Sequence, residues 1–301
     1  MHPIYRSDRP TPAAPRTASA FFGVMLLAAC GRGEPPAAAP VTDSPSSAKA
    51  ALPRAANDGT PRILAEDPNG VHIQYRLYGS GEALVVLIHG WSCDSNYWAA
   101  QVPALRAKYA VATVDLAGHG GSGANRQDWS MRAFGEDVAR VVKALPEYRE
   151  VVLVGHSMGG PVAVEAARLL KGRVVGIIGV DTLRGIGEPR PSTAQRAAQI
   201  AAFEKDFVGT TRAFVTSTFF TPASDPVLVR RIADDMALAP PAVALGALRG
   251  LADWEGSAGI ADAAVPLTLI NAAKPPTNGD PLARLAPRFR LVTVDGLGHF
   301  L

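Results

Sequence analysis

Hydrophobic and polar residues change their pattern along the chain, and the change predicts the architecture. Val71 to Tyr78 alternates apolar and polar, as a half-buried strand does. The turn residues Asp67-Pro68-Asn69-Gly70 precede it, so Arg62 to Glu66 is expected to pair with it as a hairpin. Beyond residue 80 the alternation gives way to short continuous apolar runs. These are Leu84–Ile88, Ala110–Val114, Val151–Val154, Val174–Val180, Leu267–Ile270 and Arg290–Val294. Such runs, separated by helical stretches near 95–108, 130–144, 159–171 and 280–287, predict a mostly parallel sheet covered on both faces. More than eighty residues separate the runs at 174 and 267. That interval is Ala-rich and carries Phe203, Phe207, Phe214, Phe219 and Phe220, so a helical cap over about 184–262 is expected. The fold class is therefore α/β, doubly wound, with a helical insertion between two late strands.

The first sixty residues follow another logic. Arg6, Arg9 and Arg16 precede the apolar stretch Ala20–Ala29, which is too short to span a bilayer stably but suits a signal-peptide core over residues 1–29. Leu27-Ala28-Ala29-Cys30-Gly31 resembles the lipobox of bacterial lipoproteins. That resemblance implies cleavage before Cys30, lipidation of its thiol and attachment to the cell envelope, with Gly31 favouring an outer membrane facing the periplasm. A plain secretory signal with an incidental cysteine is the alternative. Residues 30–60, rich in Ala, Pro and Ser, read as a tether with no core to bury, which leaves 61–301 as the folded domain.

The chain carries 30 basic and 27 acidic residues. Three Arg and one Asp precede Cys30, so the remainder is close to neutral, and no basic patch argues for nucleic acid. With Cys30 lipidated, Cys93 is the one remaining thiol, which rules out an intrachain disulfide and favours a buried, inert role. No His-x-His or His-Glu-x-x-His spacing suggests a metal site, and no cofactor is implied.

The chemistry centres on Gly155-His156-Ser157-Met158-Gly159-Gly160. A buried β-branched run precedes it and an Ala/Leu-rich helix follows. Strand, tight turn and helix give Gly-x-Ser-x-Gly a mechanical meaning, because the turn lifts Ser157 Oγ above the sheet at a helix N-terminus. In this frame Ser157 is the expected nucleophile.

Together with three further motifs in order, the chain resembles the α/β-hydrolase superfamily over most of 61–301. His89-Gly90-Trp91 follows the first buried strand, Asp115 to Gly123 looks like the family's D-x-x-G-x-G-x-S loop, and Gly296 to Phe300 matches the histidine loop. The resemblance implies His299 as general base and the backbone N–H groups of Trp91 and Met158 as the oxyanion hole. His89, His119 and His156 have motif-position explanations and are expected to be structural. The acid departs from the commoner pattern, since Ala273 to Pro275, where most relatives place a carboxylate, holds none. A second placement in the superfamily, after the strand preceding the cap, points to Asp181. Asp280, expected at a helix start, and the absence of any working acid are the other two assignments. Relatives normally continue past the histidine into a final helix. Here the sequence stops at Leu301, which reads as a short protein or a truncated frame.

The expected activity is hydrolysis of a carboxylic ester or related acyl bond in a small molecule through an acyl-enzyme. A membrane-tethered binding protein with little turnover and an acyltransferase are the alternatives. Substrate identity and oligomeric state are not legible.

Overall fold

The computed structural model describes residues 57–64 and 70–301. The segment read as a signal sequence, Cys30 and most of the segment read as a tether fall outside the described residues. One sheet of eight strands organises the rest: β1 (Asp58–Leu64), β2 (Ile73–Tyr78), β3 (Leu84–Ile88), β4 (Ala110–Val114), β5 (Val151–His156), β6 (Val174–Val180), β7 (Leu267–Ala272) and β8 (Arg290–Val294). Their spatial order is β1-β2-β4-β3-β5-β6-β7-β8. β2 runs antiparallel to both neighbours, and β4, β3, β5, β6, β7 and β8 pair parallel throughout.

The strands of continuous apolar sequence are those buried on both faces. Every residue of β3, β4 and β5 is buried. On one face Val86, Ile88, Ala112, Val114 and Leu153 join a core with α2 (Met131–Lys143) and α3 (Gly159–Leu169). On the other, Val85, Leu87, Val111, Val152 and Val154 pack with Trp98 and Val102. The alternating β2 buries Ile73, Tyr75 and Leu77 and turns the residues between them outward. Ser130 starts α2 by accepting the Ala133 N–H at 3.1 Å, and Phe134, Val138, Val141 and Val142 form its buried stripe.

Several boundaries differ from expectation for local reasons. β1 begins at Asp58, inside the segment read as tether, because Asp58 registers with Tyr78 and the Asn57 amide donates to Gly79 O at 2.8 Å. The helix expected over 95–108 is split into a 3-10 turn at Ser95–Trp98 and α1 (Val102–Arg106). Pro103, which cannot continue a helix from the preceding turn, sits in the first turn of α1. Between β6 and β7 lie α4 (Thr193–Lys205), α5 (Phe207–Thr218), α6 (Pro226–Met236), α7 (Pro241–Asp253) and α8 (Gly256–Ala263). α8 belongs to the layer beside the sheet: a Cβ on Gly259 would stand 3.3 Å from Val164 of α3. α4 to α7 form the rest of the insertion. α9 (Asp280–Leu285) stops short of 287 because Ala286, preceding Pro287, is extended. β8 is an edge strand, and no helix follows it among the described residues; Val292 and Leu297 are 47% and 45% exposed.

This topology fixes where a site can form. β4 and β5 flank β3 on opposite sides, so the chain leaves the C-terminal ends of β3 and β5 in opposite directions. The crevice opened by such a switch is where parallel α/β sheets bind ligands.

Candidate active site

Ser157 follows β5 directly, with φ at +51°. A side chain in this left-handed region is strained by about 1–3 kcal/mol and persists only where its surroundings over-determine it. Here the Ser157 N–H donates to Val180 O at 3.0 Å, while Ser157 O accepts from Gly160 N–H at 3.0 Å and Thr182 Oγ1 at 2.6 Å. The turn is tight enough to exclude side chains. A Cβ on Gly155 would lie 2.1 Å from Gly159 O, and one on Gly159 would lie 2.4 Å from Ile88 O. α3 begins at once, with Met158 at its N-cap and no side chain capping it. The loop after β3 lies against the same turn, since a Cβ on Gly90 would be 3.1 Å from Ser157 Cβ.

From the ends of β6, next to β5, and β8, at the sheet edge, the Asp181 and His299 side chains meet: Nδ1 of His299 is 2.6 Å from Oδ2 of Asp181. Asp181 follows β6, whose Val180 registers with His156 at the end of β5. Its other oxygen accepts the Ala272 N–H at 2.8 Å and is paired with Arg184. Burial alone would raise the Asp181 pKa. Hydrogen bonds from His299 and Ala272, with the nearby charge of Arg184, bring it below the usual carboxylate range. Asp280 is exposed at the start of α9 and makes no contact with His299. No hydrogen bond joins Ser157 Oγ to His299; such bonds are often long until substrate tightens them.

The base is held by its backbone as well as its ring. His299 N–H donates to Phe219 O at 2.7 Å, and His299 O accepts from Nε2 of His156 at 3.0 Å. The Phe219 ring stacks on the imidazole at 4.2 Å. Gly298 permits this approach, because a Cβ there would stand 2.3 Å from Phe219 O. Trp91 is buried, donates from Nε1 to Ala244 O of α7 at 2.8 Å, and meets Phe203, Phe207 and Phe214 edge-on. The insertion thus touches both the loop after β3 and the histidine loop. Cavities of about 450 and 430 Å³ lie elsewhere, lined by neither Ser157 nor His299.

The remaining histidines serve the framework. His89 accepts the Leu116 N–H at Nε2, which fixes the tautomer donating from Nδ1 to Gly90 O. His119 bonds Ala117 O through Nδ1. Burial lowers the pKa of His119 and of His156 to about 3. In the unfolded chain both would titrate near 6.5. Between those values the unfolded state binds more protons, so stability falls as pH falls. The melting temperature is expected to decline steeply below pH 6.5, and a thermal-unfolding series that stays flat from pH 7 to 4 would contradict these assignments. Burial pushes the Cys93 thiol up, which makes it inert near neutral pH. Among the described residues no group of side chains suits a metal ion, and no helix is long and apolar enough to cross a membrane.

Sequence reasoning placed Ser157, Asp181 and His299, and the structure brings all three to one edge of the sheet. It assigned His156 only a motif position, named Phe219 only among the phenylalanines of the cap and passed over Arg184. The i, i+3 pair Asp181–Arg184 was the available signal for one of them.

A serine on a strained strand-to-helix turn, with an Asp–His pair delivered from two further strand ends, defines a hydrolase-type α/β architecture. The chain belongs to the alpha/beta hydrolase family, whose profile matches residues 85–301. It is 32% identical over 173 residues to the pimeloyl-[acyl-carrier protein] methyl ester esterase of Methylococcus capsulatus, across 56% of this chain and 65% of that protein, so it spans less than two thirds of that relative's length. A hydrolase from Pseudomonas aeruginosa matches in structure with a TM-score of 0.68 at 26% identity, over 81% of this chain and 93% of that one. A bromoperoxidase from Bacillus anthracis gives 0.70 at 23% identity, over 80% and 94%, a likeness of fold alone.

Proposed function

We propose that the protein is a serine hydrolase that cleaves a carboxylic ester or related acyl bond through an acyl-enzyme. The observation that carries this reading is the 2.6 Å Asp181–His299 hydrogen bond on the same sheet edge as the strained Ser157 turn. With Nδ1–H donated to Asp181, Nε2 of His299 is the free base. It takes the proton from Ser157 Oγ as that oxygen attacks the substrate carbonyl, and Asp181 stabilises the imidazolium that forms. The amides of Trp91 and Met158 hold the oxyanion, the latter at the uncapped start of α3. His299 returns the proton to the leaving alcohol, and water then repeats the sequence on the acyl-enzyme.

The methyl ester esterase relative favours an ester over other acyl bonds. The lack of a carboxylate after β7 is one motive for the binding-protein alternative, and the Asp181–His299 pair weakens that motive. Attachment through a lipid on Cys30, facing the periplasm from the outer membrane, completes the proposal and rests on the lipobox-like Leu27–Cys30 segment.

Fluorophosphonate labelling followed by peptide mapping tests the reading. Modification at Ser157, with acid released from a panel of esters of graded acyl length, is expected. A folded protein that neither labels nor hydrolyses any ester overturns it.

A further inference from the structure

Asp181 sits in an unusual stretch of backbone. Both it and Leu183 have positive φ, +44° and +55°, in a turn of non-glycine residues. Strain of this kind needs external support, and Arg184 supplies it. Its guanidinium, with a side chain only 19% exposed, bonds Asp181 Oδ1, Ala272 O at 2.9 Å, Thr277 Oγ1 at 3.0 Å and Pro275 O. Three of those four acceptors belong to β7 and the loop after it, the segment that holds no carboxylate of its own before Asp280. Asn271, fully buried in the same strand, fixes the other side of the turn. It accepts the Thr182 N–H at 3.1 Å and donates to Thr182 O at 3.0 Å and Thr277 Oγ1 at 2.9 Å.

We infer that Arg184 is a positioning residue for the triad proposed above: it clamps Asp181 to the loop after β7 so that Oδ1 faces the guanidinium and Oδ2 faces His299. A carboxylate has two oxygens and rotates about its bond to Cβ. With Oδ1 taken by a planar fork and the Ala272 N–H, the orientation presenting Oδ2 to Nδ1 is fixed. Arg184 makes no contact with His299 or Ser157, so its effect passes through Asp181.

This inference rests on the serine hydrolase reading, and its test separates the two. In R184M, kcat should fall about 10–100-fold with KM held within about two-fold, as a misplaced catalytic group predicts. R184K should recover part of the loss, because an ammonium can reach Asp181 but cannot fork to the carbonyls. In a D181N background R184M should cost nothing further, since the group through which it acts is already disabled. Losses that multiply in the double variant, or an R184M kcat within two-fold of the parent, overturn the inference. Should R184M not fold, R184K carries the same comparison with a smaller loss. A readout independent of turnover is the low-field proton resonance of His299 Nδ1–H, expected in the parent, broadened or lost in folded R184M and retained in R184K. An unchanged resonance in R184M also overturns it. If the parent neither labels nor turns over, the function fails while this resonance still decides the role of Arg184.

Discussion

Replacing Ser157 with alanine is expected to lower kcat for ester hydrolysis by about 10⁵–10⁶-fold, the scale on which removing the nucleophile of a working triad acts. Some acceleration over water should survive, because the oxyanion hole proposed for the Trp91 and Met158 amides is untouched by the substitution. The variant should fold as the parent does. Alanine carries a Cβ, so the backbone strain at +51° is unchanged, and the bonds that hold the turn are made by backbone atoms of residue 157. Glycine at the same position should be equally inactive yet more stable than alanine by about 1 kcal/mol, since it adopts positive φ without penalty. Steady-state kinetics and thermal unfolding of the two variants together separate chemistry from folding. An alanine variant within ten-fold of the parent removes Ser157 from the mechanism. A glycine variant no more stable than alanine means the turn is not strained as its dihedral indicates.

The parts legible in the sequence are those where one physical requirement acts on a contiguous stretch. β3, β4 and β5 are continuous apolar runs because both faces are covered, and no local alternative competes. Ser157 could be placed from its strand–turn–helix frame, whereas Asp181 and His299 came from the order of the family's motifs; a parallel sheet gathers such strand ends at one edge. The insertion was legible only as helical. Its division into α4–α7 and an α8 set beside α3 depends on Gly259 meeting Val164 and on Trp254 donating to Glu165 at 2.7 Å, contacts between residues some ninety positions apart. β8 reads like a buried strand but is an edge, because strand order is a tertiary property. Arg184 and the Phe219–His299 contact were missed for a related reason. Arg184 reaches Asp181 through two left-handed residues that no propensity favours, and Phe219 meets His299 through packing across eighty positions.

Asp181→Asn decides the question that the sequence left open, and a fall in kcat of about 10⁴-fold is expected. The loss comes from the tautomer. Asparagine can turn its amide N–H toward Nδ1 of His299, which then accepts, and the ring proton moves to Nε2, where no base is left for Ser157. The imidazolium of the transition state also loses its counter-charge. Arg184 would be left facing a neutral amide, so some loss of stability should accompany the kinetic effect, and a melting curve must show that the variant is folded when assayed. Asp280→Asn is the matched control. Its carboxylate is exposed at the N-terminus of α9, where it contributes a few tenths of a kcal/mol to the helix at most, and kcat should stay within two-fold of the parent. Were the two results exchanged, the loop after β7 would have to rearrange to bring Asp280 to the imidazole, displacing Arg184 from Thr277 and the carbonyls that now hold it. Were neither substitution to matter, His299 would act without a carboxylate, and the 2.6 Å bond to Asp181 would serve the fold alone.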